Sequence, residues 1–98
     1  MNKDIYELIE YSKEGILSKN IHKDNKSDIT LFCMAKDAEM SEHTSTRQGF
    51  IYVLEGEGIF NLQGNKINMK KGTFIIMNKN AKHSLSVNKN LSFILILI

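Results

Sequence analysis

From Gly15 to the C-terminus the chain has no helical periodicity, only short apolar or alternating runs separated by Gly, Asn, Asp and Lys. Ile16 to His22 reads as a first strand, closed by the polar turn Lys23-Asp24-Asn25-Lys26-Ser27-Asp28. Ile29 to Ala35, rich in β-branched and aromatic residues, is the next, and after a polar stretch Phe50 to Leu54 is a third. Glu55-Gly56-Glu57-Gly58 reads as a hairpin turn into Ile59 to Leu62. Gly64-Asn65 is a two-residue turn signal leading to Lys66 to Met69, where apolar and polar positions alternate. Lys71-Gly72 turns into Thr73 to Met77; Lys82 to Val87, a break at Asn88-Lys89-Asn90 and Leu91 to Ile98 complete the series. About eight strands at this spacing predict an all-β sandwich or barrel.

The segment before Gly15 differs. Ile5, Leu8 and Ile9 fall at helical spacing with Asp4 available as an N-cap, which predicts one short helical segment. A chain of 98 residues has room for one core, so the expected organisation is a single domain, 1–98. Within it, 1–14 is a helical or extended segment and 15–98 the β-barrel. An apolar share of 42% and a charged share of 24% exclude a disordered or collagen-like chain. The single cysteine, Cys33, cannot close an internal disulfide, against a secreted disulfide-stapled scaffold. No signal-like apolar region follows Met1, and the longest apolar run, Leu91 to Ile98, is too short to span a bilayer. The expectation is a cytoplasmic protein with no membrane partner. The abundance of Asn, Lys and Ile fits an AT-rich, bacterial genome.

Charge is unevenly placed. Through Glu57 the chain has seven Lys or Arg and eleven acids; from Gly58 on it has six Lys and no acid. These lysines are scattered over turns and strand edges, where they discourage edge pairing. They do not interleave with aromatics, so no nucleic-acid partner is expected. The last strand is apolar on both faces, Phe93, Leu95 and Leu97 on one and Ile94, Ile96 and Ile98 on the other. Both faces need cover. One fits the barrel interior and the other a second subunit, which predicts a homodimer.

Two motifs carry a family resemblance. The stretch Ser41-Glu42-His43-Thr44 through Tyr52-Val53-Leu54-Glu55-Gly56-Glu57-Gly58, with its histidine nine residues before the tyrosine, resembles the first motif of the cupin family. Gly72 and then Met77-Asn78-Lys79-Asn80-Ala81-Lys82-His83, with the histidine eleven residues after the glycine, is similar to the second. The resemblance covers roughly Ile16 to Ile98 and implies a double-stranded β-helix, or jelly roll, of the small single-domain type. Many cupins hold a metal with two His flanking one residue, a Glu shortly after, and a His from the second motif. Carried onto this chain, the first His is His43 and the last is His83. The second His falls on Ser45 and the Glu on Gly49, with Gln48 beside it. The implied metal site is therefore His43 and His83, with Gln48 as a neutral oxygen donor and a divalent ion (Zn, Fe, Ni or Mn) as cofactor.

The resemblance implies a cupin of unassigned activity that binds a small polar ligand in the barrel, and retention of both histidines favours the metal. For an enzyme, the resemblance suggests metal-assisted chemistry on a small polar or sugar-like molecule, as in an oxygenase, isomerase or lyase. Ser45 and Gly49 favour a non-catalytic, metal-free binding module whose histidines hydrogen-bond the ligand directly. The residues leave both readings open. His22, at the end of a strand, has no spacing that makes it a third ligand. Cys33 shares a strand face with Leu31 and reads as a buried small hydrophobe. Met34, Met40, Met69 and Met77 read as core fillers able to line a soft pocket, and Tyr52 as strand packing. Lys79 and Lys82, flanking His83, read as solvated loop lysines. Gly56, Gly58, Gly64 and Gly72 are assigned to turns rather than phosphate binding.

Overall fold

The computed structural model describes residues 2–98; Met1 lies outside the described residues. The elements are a 3-10 turn at Ile5–Leu8 and seven strands: β1 Ile16–Lys23, β2 Asp28–Met34, β3 Glu39–His43, β4 Gly49–Leu62, β5 Asn65–Met69, β6 Phe74–Met77 and β7 His83–Leu97. All pairings are antiparallel. Hydrogen bonding links the strands into one sheet, but β4 and β7 are long enough to belong to two layers. Their outer halves, Gly49 to Val53 and Leu91 to Leu97, join β2, β1 and β6. Their other halves, Gly58 to Leu62 and His83 to Val87, join β3 and β5. The core lies between the layers, with Met34, Ile51, Val53, Ile75, Met77 and Phe93 from the first meeting Phe60, Met69, Leu85 and Val87 from the second. This is the all-β barrel expected.

The strand boundaries differ in two instructive ways. Glu55-Gly56-Glu57-Gly58 is not a hairpin turn; β4 runs straight through it, with repeated register shifts against β7. The break at Asn88-Lys89-Asn90 likewise lies inside β7. Both are places where a strand passes from one layer to the other. Gly56, at φ +98°, lies so close to β7 that a Cβ there would stand 2.0 Å from the Asn90 carbonyl oxygen. The glycine serves close backbone approach at a bulge, not chain reversal. The second difference is β3, a strand whose only apolar residue is Met40. It is an edge strand paired with β7 alone, and of its five residues only Met40 is even half-buried. The β4–β5 hairpin turns at Gln63-Gly64, both with positive φ, one residue before the turn signal.

The N-terminal segment forms the expected short turn, and the Asp4 side chain accepts from the Tyr6 backbone N–H at 3.0 Å. Ile5, Leu8, Ile9 and Tyr11 then lie across the outside of the first layer, over Leu31, Cys33 and Leu54 together with Leu17, Ile21 and Ile94. Cys33 is buried beside Leu31 as expected, and burial pushes its thiol pKa up. Ile94, on the face expected to meet a second subunit, is thus covered by the chain's own N-terminal segment. Among the described residues no helix is long and apolar enough to cross a membrane.

Candidate functional site

His43 ends β3 and His83 begins β7, and the two are register partners across that ladder. Facing residues in an antiparallel pair put their side chains on the same face, so two histidines forty residues apart become neighbours. Their ring centroids are 4.2 Å apart with the planes at 64°. On the other side of His83, the Phe60 ring stacks at 5.7 Å, nearly parallel. His83 is 9% exposed, whereas His43 is open to solvent.

Each imidazole is oriented by a backbone carbonyl two residues before it. His43 Nδ1 lies 2.7 Å from the Ser41 oxygen and His83 Nδ1 lies 3.0 Å from the Ala81 oxygen. A carbonyl can only accept, so Nδ1 carries the proton and donates, and Nε2 of each neutral ring keeps its lone pair. Burial lowers the His83 pKa, the Ala81 carbonyl opposes this, and the neighbouring His43 adds to the lowering. At neutral pH the buried ring is a neutral donor of one lone pair.

The loops around the pair are laced together. The Asn80 N–H donates to the Ser45 carbonyl at 2.7 Å and the Gln63 N–H to the Lys82 carbonyl at 2.8 Å. Ser45, which stands where the motif would place a second histidine, accepts from the Arg47 N–H through its hydroxyl at 3.1 Å. Gln48 donates its side-chain amide N–H to the Met77 carbonyl, and its backbone carbonyl accepts from the Ile98 N–H at 3.0 Å. Its amide is therefore engaged on β6, and Gln48 is not among the residues that line the space beside the histidines.

That space is a cavity of about 70 Å³ bordered by His43, His83, Met40 and Met77 and walled by Phe32, Phe60 and other apolar side chains. Ordinary ligand pockets hold about 300–1,000 Å³; this one has room for an ion, water or a ligand of a few atoms. Of the four methionines noted in the sequence, Met40 and Met77 border the cavity and Met34 and Met69 belong to the packed interior. Nothing in their spacing separates the pairs: Met34, Met69 and Met77 each end a strand, and only the three-dimensional pairing brings Met77 to the cavity. A wider depression, about 400 Å³, lies on the outside of the second layer among Glu39, Ser41, Asn61, Lys66 and Ser84. It holds no imidazole, so the smaller cavity, where the two motif histidines meet, is the chemically distinctive one.

The remaining sequence candidates lie elsewhere. His22 pairs with Asp24 at 2.9 Å on the exposed β1–β2 turn, and this contact, with the Lys26 and Ser27 N–H groups, holds the Asp24 carboxyl well below the usual range. Tyr52, Lys79 and Lys82 are exposed. Among the described residues no group of three or more His, Cys, Asp or Glu could hold a metal ion. The imidazole donors at the cavity are the two histidines, and no carboxylate lines it.

The fold and the motifs have known counterparts. The cupin-domain family profile matches residues 30–98. A conserved protein of unknown function from Streptococcus pyogenes superposes with a TM-score of 0.91 at 18% identity, covering 100% of this chain and 86% of that one. A cupin-superfamily protein from Desulfitobacterium hafniense superposes with a TM-score of 0.89 at 20% identity over 94% of this chain and 84% of its own. A cupin 2 conserved barrel domain protein from Leptotrichia buccalis is 26% identical with a TM-score of 0.89, over 95% of this chain but 45% of its own. No protein of curated function matches the sequence. With the two motif histidines brought together at one end of a jelly roll and the profile spanning most of its length, the chain belongs to the cupin family.

Proposed function

We propose that this cupin binds a ligand of a few atoms at the histidine end of its barrel, held by Nε2 of His43 and Nε2 of His83, with a metal ion as the ligand those nitrogens suit. The observation that carries this reading is the pair of Nδ1 contacts to the Ser41 and Ala81 carbonyls. A carbonyl partner on the second nitrogen is the arrangement that fixes the tautomer of a metal-binding imidazole. Two protein nitrogens leave the remaining coordination positions open to water or substrate. Among divalent ions, Zn, Fe and Ni accept imidazole well, and Mn prefers oxygen donors that this cavity lacks. Gln48 can add an oxygen only by turning its amide off the Met77 carbonyl. When bound, the ion supplies Lewis-acid activation of whatever small molecule occupies its open positions. The chain's own part is to orient the two nitrogens, keep His83 neutral and exclude bulk water with the apolar wall. Metal content of the tag-free protein, compared with His43→Ala, tests this: the ion should be present in the parent and lost in the variant.

A second reading rests on Ser45 and Gly49. With two of the motif's four ligand positions unable to ligate, the same pair can hydrogen-bond a small polar ligand directly, as a metal-free binding module working in the cytoplasm. Protein without metal, and acquiring none on soaking, supports that reading over the first.

The assembly that fits either reading is a homodimer formed by the outside of the first layer. Phe50 and Tyr52 of β4, Phe74 and Ile76 of β6 and Ile96 of β7 are register neighbours there. Tyr52, Phe74 and Ile76 are 43%, 55% and 57% exposed. Together they offer on the order of 400 Å² of apolar surface, about half of what each partner contributes to a standard interface. None of these five residues is charged, and an apolar sheet patch is its own complement in a two-fold pair. Phe74→Glu combined with Ile76→Glu should turn a dimer into a monomer in sedimentation; a parent already monomeric at micromolar concentration contradicts the assembly.

A further inference from the structure

Imidazole is not the only donor at the cavity. Met40 of β3 and Met77 at the end of β6 border the same space as His43 and His83, and no carboxylate does. Gly49 shows how this came about. It stands where the family motif would place a carboxylate, and a Cβ there would lie 2.8 Å from Met77 Cε and 3.3 Å from Leu97 Cδ2. The end of the Met77 side chain fills the room that a side chain at 49 would need. At this end of the barrel the side chains bordering the cavity with the histidines include two thioethers and no carboxylate.

That donor set decides which ion the site suits. Carboxylate and water select hard divalent ions, whereas thioether sulfur with neutral imidazole selects Cu(I). A monovalent ion also needs no carboxylate to balance a second charge, which matters against walls such as Phe32, Ile51, Phe60 and Phe93. Cu(I) accepts the low coordination numbers that two nitrogens and one or two sulfurs provide. We propose that His43, His83, Met77 and Met40 form a Cu(I) site, with the imidazoles as principal ligands and the thioethers as the groups that set metal preference. The proposal rests on the reading that the two histidines hold a metal, and it names that metal.

The test uses the whole chain, freed of metal and loaded anaerobically with Cu(I) as its acetonitrile complex against bicinchoninate as competitor, with Zn(II) titrated in parallel. The expected result is near-stoichiometric Cu(I), a sulfur contribution in the copper X-ray absorption spectrum, and tighter binding than Zn(II). Met77→Leu, a near-isosteric change, should weaken Cu(I) by at least about tenfold and leave Zn(II) unchanged. Met40→Leu should weaken Cu(I) in the same direction and serves as the second variant if Met77→Leu misfolds. Zn(II) bound at least as tightly as Cu(I), or equal Cu(I) affinity in parent and both variants, overturns the thioether assignment while leaving a two-histidine site standing. Failure of the parent to bind either ion overturns both.

Discussion

At one end of the barrel β4 and β7 cross from one layer to the other, and backbone meets backbone. Gly56 lies against Asn90, the Asp37 N–H donates to the Val87 carbonyl at 3.0 Å, and the Lys36 N–H donates to the Asn90 side chain at 2.8 Å. At the other end the strands finish in loops tied by a few hydrogen bonds, and His43, His83, Met40 and Met77 surround a small cavity. The crossing fixes the path of both long strands, and at Gly56 it leaves no room for a side chain. The open end inherits that geometry, and its side chains border the cavity rather than the neighbouring backbone. Stability and binding should therefore separate along the barrel axis, and substitutions can test how cleanly.

The largest effect belongs to the closed end. A Cβ at position 56 would stand 2.0 Å from the Asn90 oxygen and 2.6 Å from the Leu91 Cα, both backbone atoms, at a φ of +98°. Gly56→Ala should cost more than about 4 kcal/mol or prevent folding; an unchanged urea midpoint would show that the crossing is looser than described. Next is Phe60, fully buried and stacked on His83, the residue that joins the core to the site. Phe60→Leu should lose about 1–3 kcal/mol in urea unfolding and also weaken metal binding, because the His83 ring loses its flat support. A loss of stability with unaltered binding would mean that the ring needs no such support.

The third effect is a pH dependence that begins at the open end. The pKa of His83 is lowered by burial in the folded state, so the unfolded chain binds the proton more readily. Stability should be level above about pH 6.5, the ordinary imidazole value, and fall as pH drops below it. The slope appears before the carboxylates titrate, and His83→Asn should remove it in urea titrations between those two ranges. The same early slope in His83→Asn would assign it to another group. The smallest stability effect is expected at His43, which is exposed: His43→Ala should change the melting free energy by less than about 0.5 kcal/mol. Folding would be untouched while the site is dismantled, the sharpest separation of the two ends. A large loss of stability there would make His43 a structural residue.

What the sequence made legible follows the same division. Strands whose residues alternate or run apolar between turns, β1, β2, β5 and β6, were readable because burial on one face imposes period two. β4 and β7 were each read as two strands because a layer crossing uses the same Gly and Asn residues as a turn. Only the three-dimensional pairing distinguishes a bulge from a reversal. β3 was invisible because an edge strand with one half-buried residue has almost no apolar pattern to display. At the site, the motifs identified His43 and His83, but their tautomers depend on the Ser41 and Ala81 carbonyls, which no side-chain pattern encodes. The hold of Met77's carbonyl on Gln48 was hidden for the same reason, as was the room that Gly49 leaves for the Met77 side chain.

The central claim is that the two carbonyl-oriented histidines make this end of the barrel a metal site. The most direct test is elemental analysis of the tag-free protein, purified without chelator and under exclusion of air, beside His43→Ala prepared identically. Near-stoichiometric metal in the parent and none in the variant is the expected result, since one imidazole cannot retain the ion alone. Equal metal in both, or none in the parent even after soaking with Cu(I), Zn(II) and Fe(II), would contradict it.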